Sequence, residues 1–141
     1  MALVGALALT ACTSAAPDKP DNARALRDIR DGRDGAEVVV EGPVLRVERP
    51  SRGPSGVHER FLISLSDPDP AGRVPEPHGL SVLVADNISI ASAVVLHIGD
   101  EVVVKGVLAL DPAGPVIHWT HRDPRLRHEP GFVEVRGHVY D

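Results

Sequence analysis

Apolar and polar residues alternate along several short segments of the chain, as they do in strands that bury one face. Within residues 57–66, Phe61, Ile63 and Leu65 fall on one face of such a strand. Similar patterns rich in β-branched residues cover 36–48, 80–85, 101–110 and 116–120. The pattern therefore predicts five strands, and a terminal hairpin over 132–140 could add two more.

Helical patterns are short and few. Asp21 or Asn22 can cap a helix that runs to about Arg30, where an Asp-Gly pair stops it. A helical turn is predicted over residues 89–96, between the third and fourth strands. The stretches between the elements, including residues 50–56, are predicted as loops.

The order of these elements is that of an OB-fold, a small five-stranded β-barrel. Gly42 and Gly106 interrupt two long strand patterns, and such glycines allow strands to bend around a barrel. We therefore expect a mainly β protein, with one OB-like barrel over residues 22–141 and a short N-terminal helix. A β-sandwich is the main alternative.

Composition narrows the functional classes only slightly. The formal charge of -5 argues against nucleic acid as a partner, because phosphate neutralisation needs a basic surface. A local basic patch around Arg122, Arg125 and Arg127 remains compatible with that charge. No feature addresses the oligomeric state.

The first residues resemble the signal of a bacterial lipoprotein. Residues 1–11 form a short apolar run, and Leu9-Thr10-Ala11-Cys12 resembles a lipobox, although no Lys or Arg precedes the run. We expect lipidation of Cys12, a flexible tether over residues 12–21 and an extracytoplasmic protein anchored to the cell membrane. An apolar N-terminus with an ordinary free cysteine is the alternative.

Polar chemistry is densest in residues 116–124, which hold the only tryptophan of the chain. His118, His121, Asp123 and His128 are candidate metal ligands there, and imidazole nitrogen with carboxylate oxygen suits Zn²⁺. Two of these histidines lie three residues apart, so a strand would place them on opposite faces. They converge only if the chain turns at about Thr120.

Structural roles compete with the metal site. A histidine can donate to a loop carbonyl, and Asp123 before a proline can cap a turn. Arg60 could pair with Asp123 across the barrel mouth, or simply be solvated. Trp119 is interpreted as a core residue or a plug at the barrel end rather than a stacking platform.

The predicted ligand-binding residues gather at one polar end of the barrel. They are His58, Arg60, Asn87, His118, Trp119, His121, Asp123 and His128. Binding of a ligand or metal ion is the preferred function. A metal-assisted hydrolase, acting on phosphodiesters with His58 as candidate base, is one alternative. A protein-interaction module of the cell envelope is another.

The string Ile117-His118-Trp119-Thr120-His121-Arg122-Asp123-Pro124 also resembles a motif of a bacterial exported family, domain of unknown function 3465. Weaker matches are His58-Glu59-Arg60-Phe61, Asp86-Asn87-Ile88 and Gly131-Phe132. The resemblance implies an exported β-barrel-like protein that shares these polar residues, and it implies no established activity. The family carries His where this chain has Asp86, which could still serve as an oxygen ligand.

Overall fold

A computed structural model of the protein describes residues 18–65 and 80–141, and within them the chain is mainly β, as predicted. One helix and eight strands are formed there. They are α1 (Asn22–Arg30), β1 (Glu37–Val47), β2 (Ser51–Gly53), β3 (Gly56–Leu65), β4 (Leu80–Asn87), β5 (Glu101–Asp111), β6 (Gly114–His118), β7 (Phe132–Val135) and β8 (His138–Tyr140). The described part contains no helix that is both long and apolar enough to cross a membrane.

Five of the strands pair in a ring. β1 pairs with β3, β3 with β4, β6 with β5, and β5 with β1, all antiparallel, while β4 and β6 are parallel. These are the five strands that the alternation predicts. β7 and β8 form the predicted terminal hairpin, and β7 pairs with β5. The loop prediction for residues 50–56 is wrong in part, because β2 forms there and pairs with β3.

The core lies inside the ring and is aliphatic apart from one aromatic residue. Phe61, Ile63 and Leu65 are at most 1% exposed, and they alternate with half-buried residues along β3. Val82 and Val84 of β4 face the same interior. Phe61, Ile63 and Leu65 therefore share one buried face, as the period-two alternation of their segment predicts.

Close approach between neighbouring strands explains why glycine stands at positions 42 and 106. A Cβ atom at Gly42 would lie 1.9 Å from the carbonyl oxygen of Ser64. A Cβ atom at Gly106 would lie 2.5 Å from the carbonyl oxygen of His118. Just after Gly42, the register between β1 and β3 shifts between Val44 and Arg46, as at a β-bulge.

The N-terminal helix begins and ends where the sequence predicts. The Asp21 carboxylate accepts a hydrogen bond from the Arg24 amide at 2.9 Å, which satisfies one free N–H of the first turn. Residues ahead of the helix also contact the strands: Lys105 donates to Asp18 at 2.8 Å, and the Asp21 amide donates to the Val39 carbonyl at 2.8 Å.

The predicted helical turn over residues 89–96 is not confirmed. A turn forms at residues 88–90, where the amides of Ile90 and Ala91 both donate to the Asn87 carbonyl at 3.0 Å. The chain then leaves the helical path, and no helix is formed among residues 80–141. In a helix the Val94 amide would donate to the carbonyl four residues earlier. Here it donates instead to the carboxylate of Glu59, a residue distant in the sequence, at 2.7 Å.

Candidate functional site

The chain leaves the extended conformation directly after β6, between the two histidines of the motif. Trp119 adopts a φ of 58°, in the left-handed region that bulky residues rarely occupy. Thr120 is fully buried, and its hydroxyl donates to the Asp86 carboxylate at 2.8 Å. The Gly131 amide donates to the His121 carbonyl at 3.1 Å. The turn required for convergence is therefore present, with its unusual backbone at Trp119.

A cleft of about 750 Å³ opens beside this turn. It is lined by Pro54, Ser55, His58, Ala85, Asn87, Ile90, His118, Trp119, His121, Asp123, Pro124, Arg125, Arg127 and His128. Seven of the eight predicted ligand-binding residues are in this set. Arg60 is the exception: it lines an adjoining groove along β3, β4 and β6 and donates to Ser51 Oγ at 3.2 Å. Whether the cleft binds a ligand stays a prediction.

Four aromatic rings form a continuous ladder along the cleft. The ring centroids of His118 and Trp119 are 4.8 Å apart, and those of Trp119 and His128 are 4.9 Å apart with nearly parallel planes. His128 then meets His121 edge to face at 5.0 Å. Trp119 is 44% exposed, so its interpretation as a core residue is wrong, whereas its role as a plug at the barrel end stays a prediction. Its indole instead forms part of the cleft wall.

Backbone carbonyls fix the orientation of two of these imidazoles. The Nδ1 atom of His121 lies 3.2 Å from the Arg122 carbonyl oxygen, and that of His128 lies 2.8 Å from the Glu129 carbonyl oxygen. A carbonyl oxygen only accepts hydrogen bonds, so the proton must be on Nδ1. In the neutral ring, Nε2 then carries the free lone pair. Burial lowers the pKa of a third imidazole, that of His118.

Asp123 organises the loop that carries His128. Its carboxylate accepts from the amides of Arg125 at 3.0 Å and Arg127 at 2.8 Å, and from the Arg127 guanidinium at 2.8 Å. The hydrogen bonds from Arg127, with that from the Arg125 amide, hold the pKa of this carboxyl well below its ordinary value. The pairing of Asp123 with Arg60 was therefore wrong, and both carboxylate oxygens are already engaged locally.

Two buried carboxyls lie behind the cleft wall. Glu59 and Asp86 face each other across β3 and β4, and they are 9% and 0% exposed. Burial raises the pKa of both groups. Asp86 Oδ2 has no hydrogen-bond partner among the described residues. Sequence reasoning missed this pair, although the alternation that buries Phe61 also places Glu59 on the inner face.

Asn87 and His58 also line the cleft. Asn87 Nδ2 donates to the Ser55 carbonyl at 2.9 Å, and its Oδ1 accepts from the Ser89 amide at 3.1 Å. Asn87 therefore ties the turn before β3 to the turn after β4. His58 Nε2 lies 3.4 Å from Ser55 Oγ, and its role as a base stays a prediction.

The predicted metal ligands do not form a ready-made centre. Among residues 18–65 and 80–141, no group of three or more His, Cys, Asp or Glu side chains is placed to hold a metal ion. The Asp123 carboxylate is already hydrogen-bonded within its own loop, whereas the rings of His121 and His128 are in contact. Cys12, the predicted lipidation site, lies outside the described residues.

Comparison with known proteins identifies the family of the chain but no activity. No curated protein and no solved structure matches the chain. The model of one family, described as a protein of unknown function (DUF3465), matches residues 7–141, which include every strand and the whole cleft. The chain therefore belongs to that family, as its Ile117–Pro124 motif predicts.

Proposed function

We propose that the protein is an extracytoplasmic lipoprotein whose OB-like domain binds a small ligand in the cleft around Trp119. The order of the ring supports an OB-fold. Its first three strands, β1, β3 and β4, are consecutive antiparallel neighbours, β4 runs parallel to β6, and β5 closes the ring against β1. Small barrels of this kind bind ligands on strand faces and the loops beside them.

The cleft itself carries the proposal. Its volume of about 750 Å³ suits a small molecule, and such sites combine apolar surface with a few convergent polar groups. Trp119 offers exposed aromatic surface, while His121 and His128 present hydrogen-bond acceptors beside it. Trp119 is held in a costly left-handed conformation, and such strain concentrates at functional sites.

Charge around the cleft differs from that of the whole chain. Arg125 and Arg127 lie at its edge with a single carboxylate, Asp123, whereas the chain carries a net charge of -5. The basic groups are too few for a long polyanion, whose binding rests on many phosphate contacts. They suit a small ligand with one anionic group or several hydroxyl groups.

The binding proposal can be tested with the only tryptophan of the chain as a probe. A panel of monosaccharides, amino acids, carboxylates and nucleotides is screened by thermal shift, and hits are titrated while Trp119 fluorescence is recorded. We expect a saturable fluorescence change for at least one class, and at least tenfold weaker binding to His128→Ala. The matched control is His138→Ala, an exposed histidine of β8 outside the cleft. Hits that bind equally to both variants, or no hits at all, would refute the proposal.

The lipid anchor needs a separate test. The lipobox places Cys12 where acylation would occur. We expect Cys12→Ser to abolish incorporation of labelled palmitate and to release the protein from the membrane fraction, whereas Thr13→Ala should remain membrane-bound. Membrane retention of the unlabelled Cys12→Ser protein would contradict the anchor.

A further inference from the structure

We propose that the cleft and the adjoining groove along β3, β4 and β6 form one elongated site for an acidic oligosaccharide, with Arg60 binding a carboxylate of the sugar chain. The inference deepens the proposed function and rests on it, because the cleft around Trp119 is one end of the site. It also gives a role to Arg60, which lines the groove and not the cleft.

The cleft and the groove are continuous. Each has a volume of about 750 Å³, and five residues line both of them: Pro54, Ser55, His58, Ala85 and His118. Along β4 the combined site extends from Ser81 in the groove to Asn87 in the cleft, which is roughly 20 Å at about 3.3 Å per residue. This length exceeds that of a single sugar residue and suits a chain of several.

The floor of the groove is the outer face of the sheet, and its side chains are small or aliphatic. Leu62 of β3 pairs with Leu83 of β4, which pairs in turn with Val116 of β6. All three side chains are half-buried and line the groove. Arg60 is paired with Ala85, whose small side chain leaves room beside the guanidinium. An apolar floor with a few polar groups suits a sugar ring, which has C–H faces and hydroxyl edges.

Arg60 provides the charge complementarity. It is half-buried, its guanidinium donates to Ser51 Oγ at 3.2 Å, and no carboxylate among the described residues pairs with it. The other arginine of the groove, Arg46, already donates to the Glu48 carboxylate at 2.7 Å. A guanidinium presents a planar fork of donors that matches a carboxylate. Arg60 can therefore bind a carboxylate of the ligand where the groove meets the cleft.

Other extended ligands fit this surface less well. A bound peptide commonly adds to a free sheet edge, whereas β3, β4 and β6 each have a paired strand on both sides. A single-stranded nucleic acid commonly needs several aromatic platforms and many basic contacts. The chain has a net charge of -5, and Trp119 is the only Trp, Tyr or Phe among the described residues that line the two depressions. An oligosaccharide requires neither feature.

Calorimetric titration of the full chain with oligogalacturonates, from the monomer to the hexamer, tests the site. Each residue of this linear series carries one carboxylate. We expect the hexamer to bind wild type at least tenfold more tightly than the monomer does, and at least tenfold more tightly than neutral maltohexaose does. Hexaglutamate and hexathymidylate represent the peptide and nucleic-acid alternatives, and tighter binding of either than of the hexamer would overturn the oligosaccharide assignment.

Two substitutions test the groove itself. Arg60→Gln should weaken hexamer binding at least tenfold, whereas Arg27→Gln, which removes an equal charge from an exposed position of α1, should change it less than twofold. Ala85→Leu adds bulk where the groove meets the cleft, so it should abolish the gain in affinity from monomer to hexamer. Its matched control is Ala93→Leu, at an exposed position that lines neither depression. Circular dichroism checks that each variant is folded.

The wild-type comparison of chain lengths does not depend on the stability of any variant. Absence of hexamer binding, equal affinities for monomer and hexamer, or hexamer binding that survives Arg60→Gln would each overturn the elongated site. If screened small compounds still bind at Trp119, only this inference fails. If neither an oligogalacturonate nor any screened compound binds, the proposed function fails with it.

Discussion

An alanine at position 131 tests whether close backbone packing holds the Trp119 turn in place. A Cβ atom at Gly131 would lie 2.1 Å from the Trp119 carbonyl oxygen, 2.7 Å from that of Lys105 and 2.8 Å from Thr120 Cα. All three neighbours are backbone atoms, so no flexible side chain can yield. The Trp119 carbonyl must retreat by at least about 1 Å to restore an ordinary contact.

The expected cost follows from two opposing effects. Overpacking at a rigid site costs about 1–3 kcal/mol. Replacing glycine by alanine also lowers the conformational entropy of the unfolded chain, which stabilises the folded state by about 0.4–1 kcal/mol. We therefore expect Gly131→Ala to lower the free energy of unfolding by up to about 2.6 kcal/mol, in the upper part of that range because only backbone atoms could yield, and to displace the indole of Trp119.

Urea denaturation followed by circular dichroism gives the free energy of unfolding, and Trp119 fluorescence reports the displacement. Gly53→Ala is the matched control, because its added Cβ would meet only atoms at 3.9 and 4.0 Å. It should be neutral or stabilising by up to about 1 kcal/mol. A Gly131→Ala protein with wild-type stability and an unchanged emission spectrum would show that packing against Gly131 does not hold the Trp119 turn in place.

Three further substitutions test the polar groups around the cleft. Thr120→Val removes the hydrogen bond from the Thr120 hydroxyl to the buried Asp86 carboxylate, and we expect a loss of about 1–3 kcal/mol in urea denaturation that Thr120→Ser does not show. Asp123 has a lowered pKa, so its stabilising pairing with Arg127 is present above the unfolded pKa and is lost as the pH falls through the folded value. The melting temperature of wild type should therefore fall more steeply than that of Asp123→Asn below about pH 4, and parallel curves would count against this. Glu59 has a raised pKa because of burial, so its ionisation destabilises the fold increasingly as the pH rises through the folded value. Glu59→Gln should gain stability relative to wild type as the pH rises above about 4, and a difference independent of pH would contradict that sign.

The ring of strands was predictable because burial of one strand face imposes a period of two on the sequence. Phe61, Ile63 and Leu65 carry that signal and are buried as expected. The absence of a helical turn over residues 89–96 was not predictable, because the backbone there depends on a residue 35 positions away in the sequence. The Glu59 carboxylate captures the Val94 amide, and a local pattern contains no trace of that contact.

Most residues that line the cleft were predictable from the sequence, whereas the geometry of the cleft was not. Residues 116–124 concentrate His, Trp and Asp, and their convergence needed only a turn. The left-handed Trp119 could not be foreseen, because bulky residues avoid that region and the turn depends on Gly131 packing beneath it. The pairing of Asp123 with Arg127 could have been predicted, because the two residues are four positions apart in the sequence.

The indole N–H signal of Trp119 tests the binding cleft most directly, because the chain contains a single tryptophan. The ¹⁵N-labelled full chain is titrated with each compound that raises its melting temperature, and amide and indole shifts are recorded together. We expect saturable shifts of the Trp119 indole and of the amides of His121 and His128, with little change in β8. Shifts that cluster away from this turn, with an unmoved indole signal, would contradict it.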